Sequence, residues 1–201
     1  MLRTLATVPL LTVWIVSGDA AAQTDWPCEQ AEPNVELALE GSATPSEEAS
    51  SAWRDDPVIR DLTTDLAARR TPLEEAEGRI ADFAASLDAA TREEALGRLQ
   101  AGIVETIQRE RSSIITGISR FTERQEQLGA RIQTINLELR ELADSASSDA
   151  AVRRQALTQE REWDLRVFDE RQDSLRYLCE QPLLLEERAQ ALASAISEAM
   201  Q

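Results

Sequence analysis

The sequence predicts an all-α fold: a long antiparallel helical hairpin, coiled-coil-like, with two shorter N-terminal helices packed at one end and a disulfide-tethered N-terminal arm. Three observations carry the prediction. Residues 91–142 read as one unbroken helix, on the order of 75 Å long at 1.5 Å per residue. Its second half places Ile114, Ile118, Phe121, Leu128, Ile132, Ile135, Leu139 and Leu142 at alternating spacings of four and three, with Gln125 in the polar slot; this is a heptad seam. A return stretch follows a small polar turn at residues 143–150, and so short a connection makes the two helices antiparallel neighbours.

Residues 1–22 read as a signal peptide. Arg3 precedes an apolar run at residues 5–16, Gly18 breaks it, and Ala20-Ala21-Ala22 supplies the small residues a signal peptidase requires. Cleavage after Ala22 leaves residues 23–201, with no second apolar run of eighteen and so no stable membrane insertion expected. Residues 23–56 form a flexible or extended arm, rich in Pro, Ser and Glu with little apolar periodicity. Its two tryptophans, Trp26 and Trp53, read first as anchors whose rings tuck onto the helical body. If exposed instead, they join Trp163 of the return helix as candidate partner-facing aromatics.

Residues 57–201 form the helical domain, with helices expected at 57–70, 72–88, 92–143, 149–181 and 183–200. Asp56-Pro57 opens the first with an Asp N-cap and Pro at the first helical position, and Val58, Ile59, Leu62 and Leu66 make its stripe. Arg69 and Arg70 close it at the negative end of the helix dipole. Thr71-Pro72-Leu73-Glu74 and Thr91-Arg92-Glu93-Glu94 read as capping boxes for the second and third helices. Leu73, Ala76, Ile80, Phe83 and Leu87 stripe the second helix. Gly117 and Gly129 lie one residue off the seam, and close approach of a neighbouring helix would explain them. The return helix offers two stripes, Val152, Ala156, Gln159, Trp163 and Val167, and Leu157, Asp164, Phe168, Leu175 and Leu178. Neither is a clean seam, and the pair leaves open one buried face or burial on two sides, by the N-terminal helices or a second copy. Pro182 is expected to interrupt or kink it.

The net charge is −16, and all 21 basic residues are Arg. That balance disfavours nucleic acid and anionic membrane surfaces as partners. Without His there is no imidazole base, and without Lys no Schiff-base amine. The abundant carboxylates read as solvated helix faces, and Glu29, Glu32 and Glu36 lack the spacing of a calcium loop. The reading is of a non-enzyme without cofactor or metal. Two cysteines, Cys28 and Cys179, both lie in the exported part, where thiols oxidise. If they pair, the link closes a loop worth roughly 4–5 kcal/mol in the chain-entropy model.

Two stretches carry a resemblance. Asp25-Trp26-Pro27-Cys28-Glu29-Gln30 and Ser174-Leu175-Arg176-Tyr177-Leu178-Cys179-Glu180-Gln181-Pro182 resemble a group of uncharacterised exported (periplasmic) helical proteins of Gram-negative bacteria. The resemblance covers only those two ends; it implies a periplasmic location and supports pairing of the cysteines. A more distant architectural likeness is to the helical-hairpin periplasmic chaperones of the Spy/CpxP type, although Leu157-Thr158-Gln159-Glu160 departs from their LTxxQ motif. The expectation is therefore a periplasmic structural or interaction protein that docks a protein partner or itself through the hairpin. The alternative is a chaperone-like client binder.

Overall fold

The computed structural model describes residues 26–29, 31, 37, 39 and 51–201. The proposed signal peptide, its cleavage site and the acidic side chains of Glu32 and Glu36 lie outside the described residues. Four whole helices follow in order among the described residues: α1 (Pro57–Ala67), α2 (Leu73–Ser86), α3 (Arg92–Glu141) and α4 (Ser148–Ala199). There is no strand among the described residues. The two long helices lie against each other as an antiparallel hairpin; α1 packs on α3 and α2 on α4 at the end remote from the turn.

Each helix begins for a local reason, though not always the expected one. At α1 the Asp56 carboxylate accepts from Val58 N at 2.9 Å and Ile59 N at 3.2 Å, and Pro57 sits where no N–H is needed. The capping boxes at Thr71 and Thr91 do not form. The Thr71 hydroxyl donates backward to Asp65 O (2.8 Å) and the Thr91 hydroxyl to Asp88 O (3.2 Å), so neither accepts from its helix. At the turn, Ser147 accepts from Ala150 N at 3.1 Å and starts α4. The short helices end earlier than expected, at Ala67 and Ser86, because the chain turns extended at Ala68 and Leu87.

Pro182 does not divide the return helix into 149–181 and 183–200. Instead, α4 runs through it from Ser148 to Ala199. Proline inside a helix removes one hydrogen bond and costs about 3 kcal/mol. Here the ring is buried and both flanks are held, by the Cys179 disulfide on one side and by fully buried Leu185, Ala189 and Leu192 on the other.

The hairpin seam recurs every seventh residue on both helices. On α3 and its C-cap the two series are Ile107, Ile114, Phe121, Leu128, Ile135, Leu142 and Arg111, Ile118, Gln125, Ile132, Leu139, all buried or half-buried. On α4 they are Ala150, Leu157, Asp164, Arg171, Leu178, Leu185, Leu192 and Arg154, Arg161, Phe168, Leu175, Pro182, Ala189, Ile196. This settles which face of α4 is buried: the Leu157–Asp164–Phe168 stripe is inside. Val152, Ala156, Gln159 and Trp163 face water, with Val167 at the border.

Several polar slots find partners across the seam, although Gln125 Oε1, Arg161 Nε and Asp164 Oδ2 are buried without a hydrogen bond. Arg111, 3% exposed, bonds Glu186 at 2.6 Å. Gln125 donates to Phe168 O at 2.7 Å. Asp164 meets Arg131 at 3.1 Å, and Arg154 donates to the carbonyls of Leu142, the C-cap of α3, and of Ser145 in the turn.

The main core lies where α1 and α2 cover the hairpin. Ile59, Leu66, Ile80, Leu96, Leu99, Ile103, Ile107, Leu185, Leu192 and Ile196 are fully buried there, each worth roughly 1.5–3 kcal/mol of transfer free energy. Val58 and Leu73, expected in the stripes of α1 and α2, face water instead. Gly117 has open space beside it and Gly129 only ordinary contact with Phe168, so neither is explained by close helix approach. The crowded glycine is Gly102: a Cβ there would sit 2.7 Å from Thr63 Oγ1 and 3.0 Å from the Trp53 ring.

Candidate functional site

Cys28 and Cys179 are bonded, with Cα atoms 5.4 Å apart. The bond fastens a strap, residues 26–29 and 31, across the middle of the hairpin. Cys28, Ala31 and Ile118 are buried together, with Trp26, Ile114, Leu175, Leu178 and Leu183 packed around them. Trp26 Nε1 donates to Ala31 O, so the strap closes on itself.

Trp53 is not partner-facing. It is buried in the main core, with Nε1 bonded to Glu105 Oε2 at 3.0 Å and Arg54 over its ring at 4.8 Å. Residues 51 and 52 before it are helical, so the loose arm expected over 23–56 ends short of Trp53. The aromatic's size explains its burial: its apolar body fills the gap over Gly102 while its N–H keeps a polar partner. Burial raises the Glu105 carboxyl, but hydrogen bonds from Trp53 and Arg109 and the charges of Arg54 and Arg109 outweigh it and hold the group below its ordinary 4.5. Trp26 is half-buried in the strap.

Trp163 is exposed, and the structure places it among neighbours that periodicity reasoning missed. Trp163 (64% exposed), Tyr177 (58%) and Leu184 (48%) lie fourteen and seven residues apart on α4, hence on one line along a helix whose seam repeats every seven. The line is about 31 Å long. Arg166 lies over the Trp163 ring at 5.7 Å and Arg176 over Tyr177 at 5.1 Å. The signal that would have found Tyr177 and Leu184 is the seven-residue series itself, legible only once the buried face of α4 is known.

A second feature lies on a different face of α4, beside the strap. An open cleft of about 470 Å³ is lined by Pro27, Phe121, Gln125, Gly129, Phe168 and Leu175, among others. A second of about 430 Å³ is lined by Pro27, Cys28, Gln172, Leu175, Cys179 and Leu183, with Glu29, Arg176 and Glu180 at its rim. Among the described residues no group of three His, Cys, Asp or Glu side chains is placed to hold a metal ion. No helix among them is long and apolar enough to cross a membrane.

Comparison with family models, with curated proteins and with solved structures finds no match.

Proposed function

We propose that the protein is a periplasmic interaction protein whose coiled-coil-like hairpin docks a protein partner through the outer flank of α4. The observation that carries this reading is the line of exposed Trp163, Tyr177 and Leu184, two of them stacked with arginines. Trp, Tyr and Arg dominate the binding energy of protein interfaces, and exposed aromatics aligned on a rigid rod cost little entropy to dock. The resemblance of the strap and the Cys179 segment to exported helical proteins supports the periplasmic location, as does the disulfide.

Photo-crosslinking in the native host tests the reading. A photoreactive residue at Trp163 or Tyr177 is expected to give discrete adducts with another protein or a second copy, whereas one at Glu123 or Gln127, exposed on the outer face of α3, gives weaker adducts. Equal labelling at all four positions, or none at Trp163 and Tyr177, would remove the docking flank.

The clefts beside the strap support a second reading, a chaperone-like binder of unfolded clients, because client binding needs accessible apolar surface such as that of Phe121, Phe168 and Leu175. Suppression of aggregation of a denatured protein at stoichiometric amounts is expected on that reading. Its absence would leave the docking reading alone.

A further inference from the structure

Pro27 forms a wall of both clefts, as do Gln172 and Leu175 of α4. The strap is therefore the partition between two cavities of about 470 and 430 Å³. Beneath it lie Ile114, Ile118, Leu175, Leu178 and Leu183, a small apolar cluster that meets the main core through Ile114. The disulfide itself lines the second cleft. Both cysteines line that cleft, Cys28 as a buried residue and Cys179 as a half-buried one, so Cys179 is the more open side for an incoming thiolate.

From this we infer that Cys28–Cys179 is a thiol-exchange site that acts as a latch: a dithiol reductant entering the second cleft opens it, the strap lifts, and the two clefts join into one apolar groove on α3 and α4. The exchange balances without any group beyond the reductant. A thiolate of the dithiol bonds to Cys179 Sγ as the Cys28–Cys179 bond breaks, and Cys28 leaves as a thiolate that takes up a proton. The reductant's second thiol gives up its proton and displaces Cys179. Two electrons and two protons pass to the protein, and the reductant departs as its own disulfide.

The strap is able to leave as a unit because its internal hydrogen bond, Trp26 to Ala31, travels with it. The hairpin is able to stay because its main core contains none of residues 26–29 and 31, and only the Ile114, Ile118, Leu175 and Leu178 stretch of the seam packs against them. The inference stands apart from the docking flank, which lies on another face of α4.

Dithiothreitol without denaturant is the probe. After reduction, thiol alkylation and desalting, side-chain oxidation by hydroxyl radicals is read by mass spectrometry, with helicity followed by circular dichroism. Oxidation of Trp26, Leu178 and Leu183 is expected to rise several-fold while Leu192 and Ile103 stay protected and helicity is kept. Cys28→Ser without any reductant is expected to give the same footprint, which excludes an effect of the alkyl group. A bond that resists dithiothreitol until the protein is denatured would overturn the latch. So would reduction with an unchanged footprint, or reduction that unfolds the helices along with the strap.

Discussion

Gly102 shows how much one hydrogen atom in place of a methyl group decides. The Trp53 indole and the Thr63 hydroxyl both press on it, and an indole held by its own hydrogen bond to Glu105 has little freedom to retreat. Gly102→Ala is therefore expected to destabilise the protein by about 1–3 kcal/mol, although alanine is the better helix former. Gly117→Ala, with nothing within 4 Å, is expected to stabilise by about 0.5–1 kcal/mol. Chemical denaturation of the two variants reads both signs.

Glu105 gives a pH dependence of known sign. Its carboxyl titrates lower in the folded protein than in the unfolded chain, so its contribution is complete above the ordinary value of 4.5 and is lost as pH falls through the folded value. Glu105→Gln is expected to be less stable than the parent near neutrality. The gap should narrow in acid, as read by unfolding free energies from pH 7 to 3. At this scale the sequence was legible where a side chain acts on its own backbone, as at Asp56. It misled at Thr71 and Thr91, whose hydroxyls found carbonyls behind them. Gly102 was invisible because Trp53 arrives from about fifty residues away in sequence.

The two long helices were unequally legible for a physical reason. The seam of α3 is apolar at nearly every slot, so its period shows in the letters. The seam of α4 carries Arg154, Arg161, Asp164 and Arg171, and each charge hides the repeat. Three of these sit there because of partners on the other side of the turn: the Leu142 and Ser145 carbonyls, Asn136 and Arg131. Asp164 is the sharpest case, since its side chain is 7% exposed while that of Arg131 is 57% exposed. Removing Arg131 leaves the buried Asp164 carboxylate without its ion pair, so Arg131→Ala is expected to lower the melting temperature. Asp164→Leu, which restores an apolar slot, is expected to be neutral or stabilising. Thermal unfolding of the two variants separates a pair that stabilises from one that is merely tolerated.

For the whole molecule, fold class and hairpin were legible from residues 91–142 and the short turn alone. The line of exposed Trp163, Tyr177 and Leu184 was legible only at Trp163, because the other two align with it only after the inner face of α4 is fixed. The strap was half legible: two cysteines suggested a link, but Pro27 as a partition between two clefts is a property of the assembled surface. Cys28→Ser removes a closed loop of about 150 residues and is expected to lower the melting temperature, with reductant doing the same to the parent.

All of these statements rest on α4 returning along α3 within one chain, with Glu138 beside Arg153 and Arg131 beside Glu160. A short bis-maleimide cross-linker applied to Glu138→Cys/Arg153→Cys, in a chain with both native cysteines replaced by serine, tests that register directly. Intramolecular cross-linking in high yield at low protein concentration is the expected result, with none for Glu138→Cys/Ser174→Cys. Failure of the first pair, or cross-linking only between chains, would contradict the hairpin.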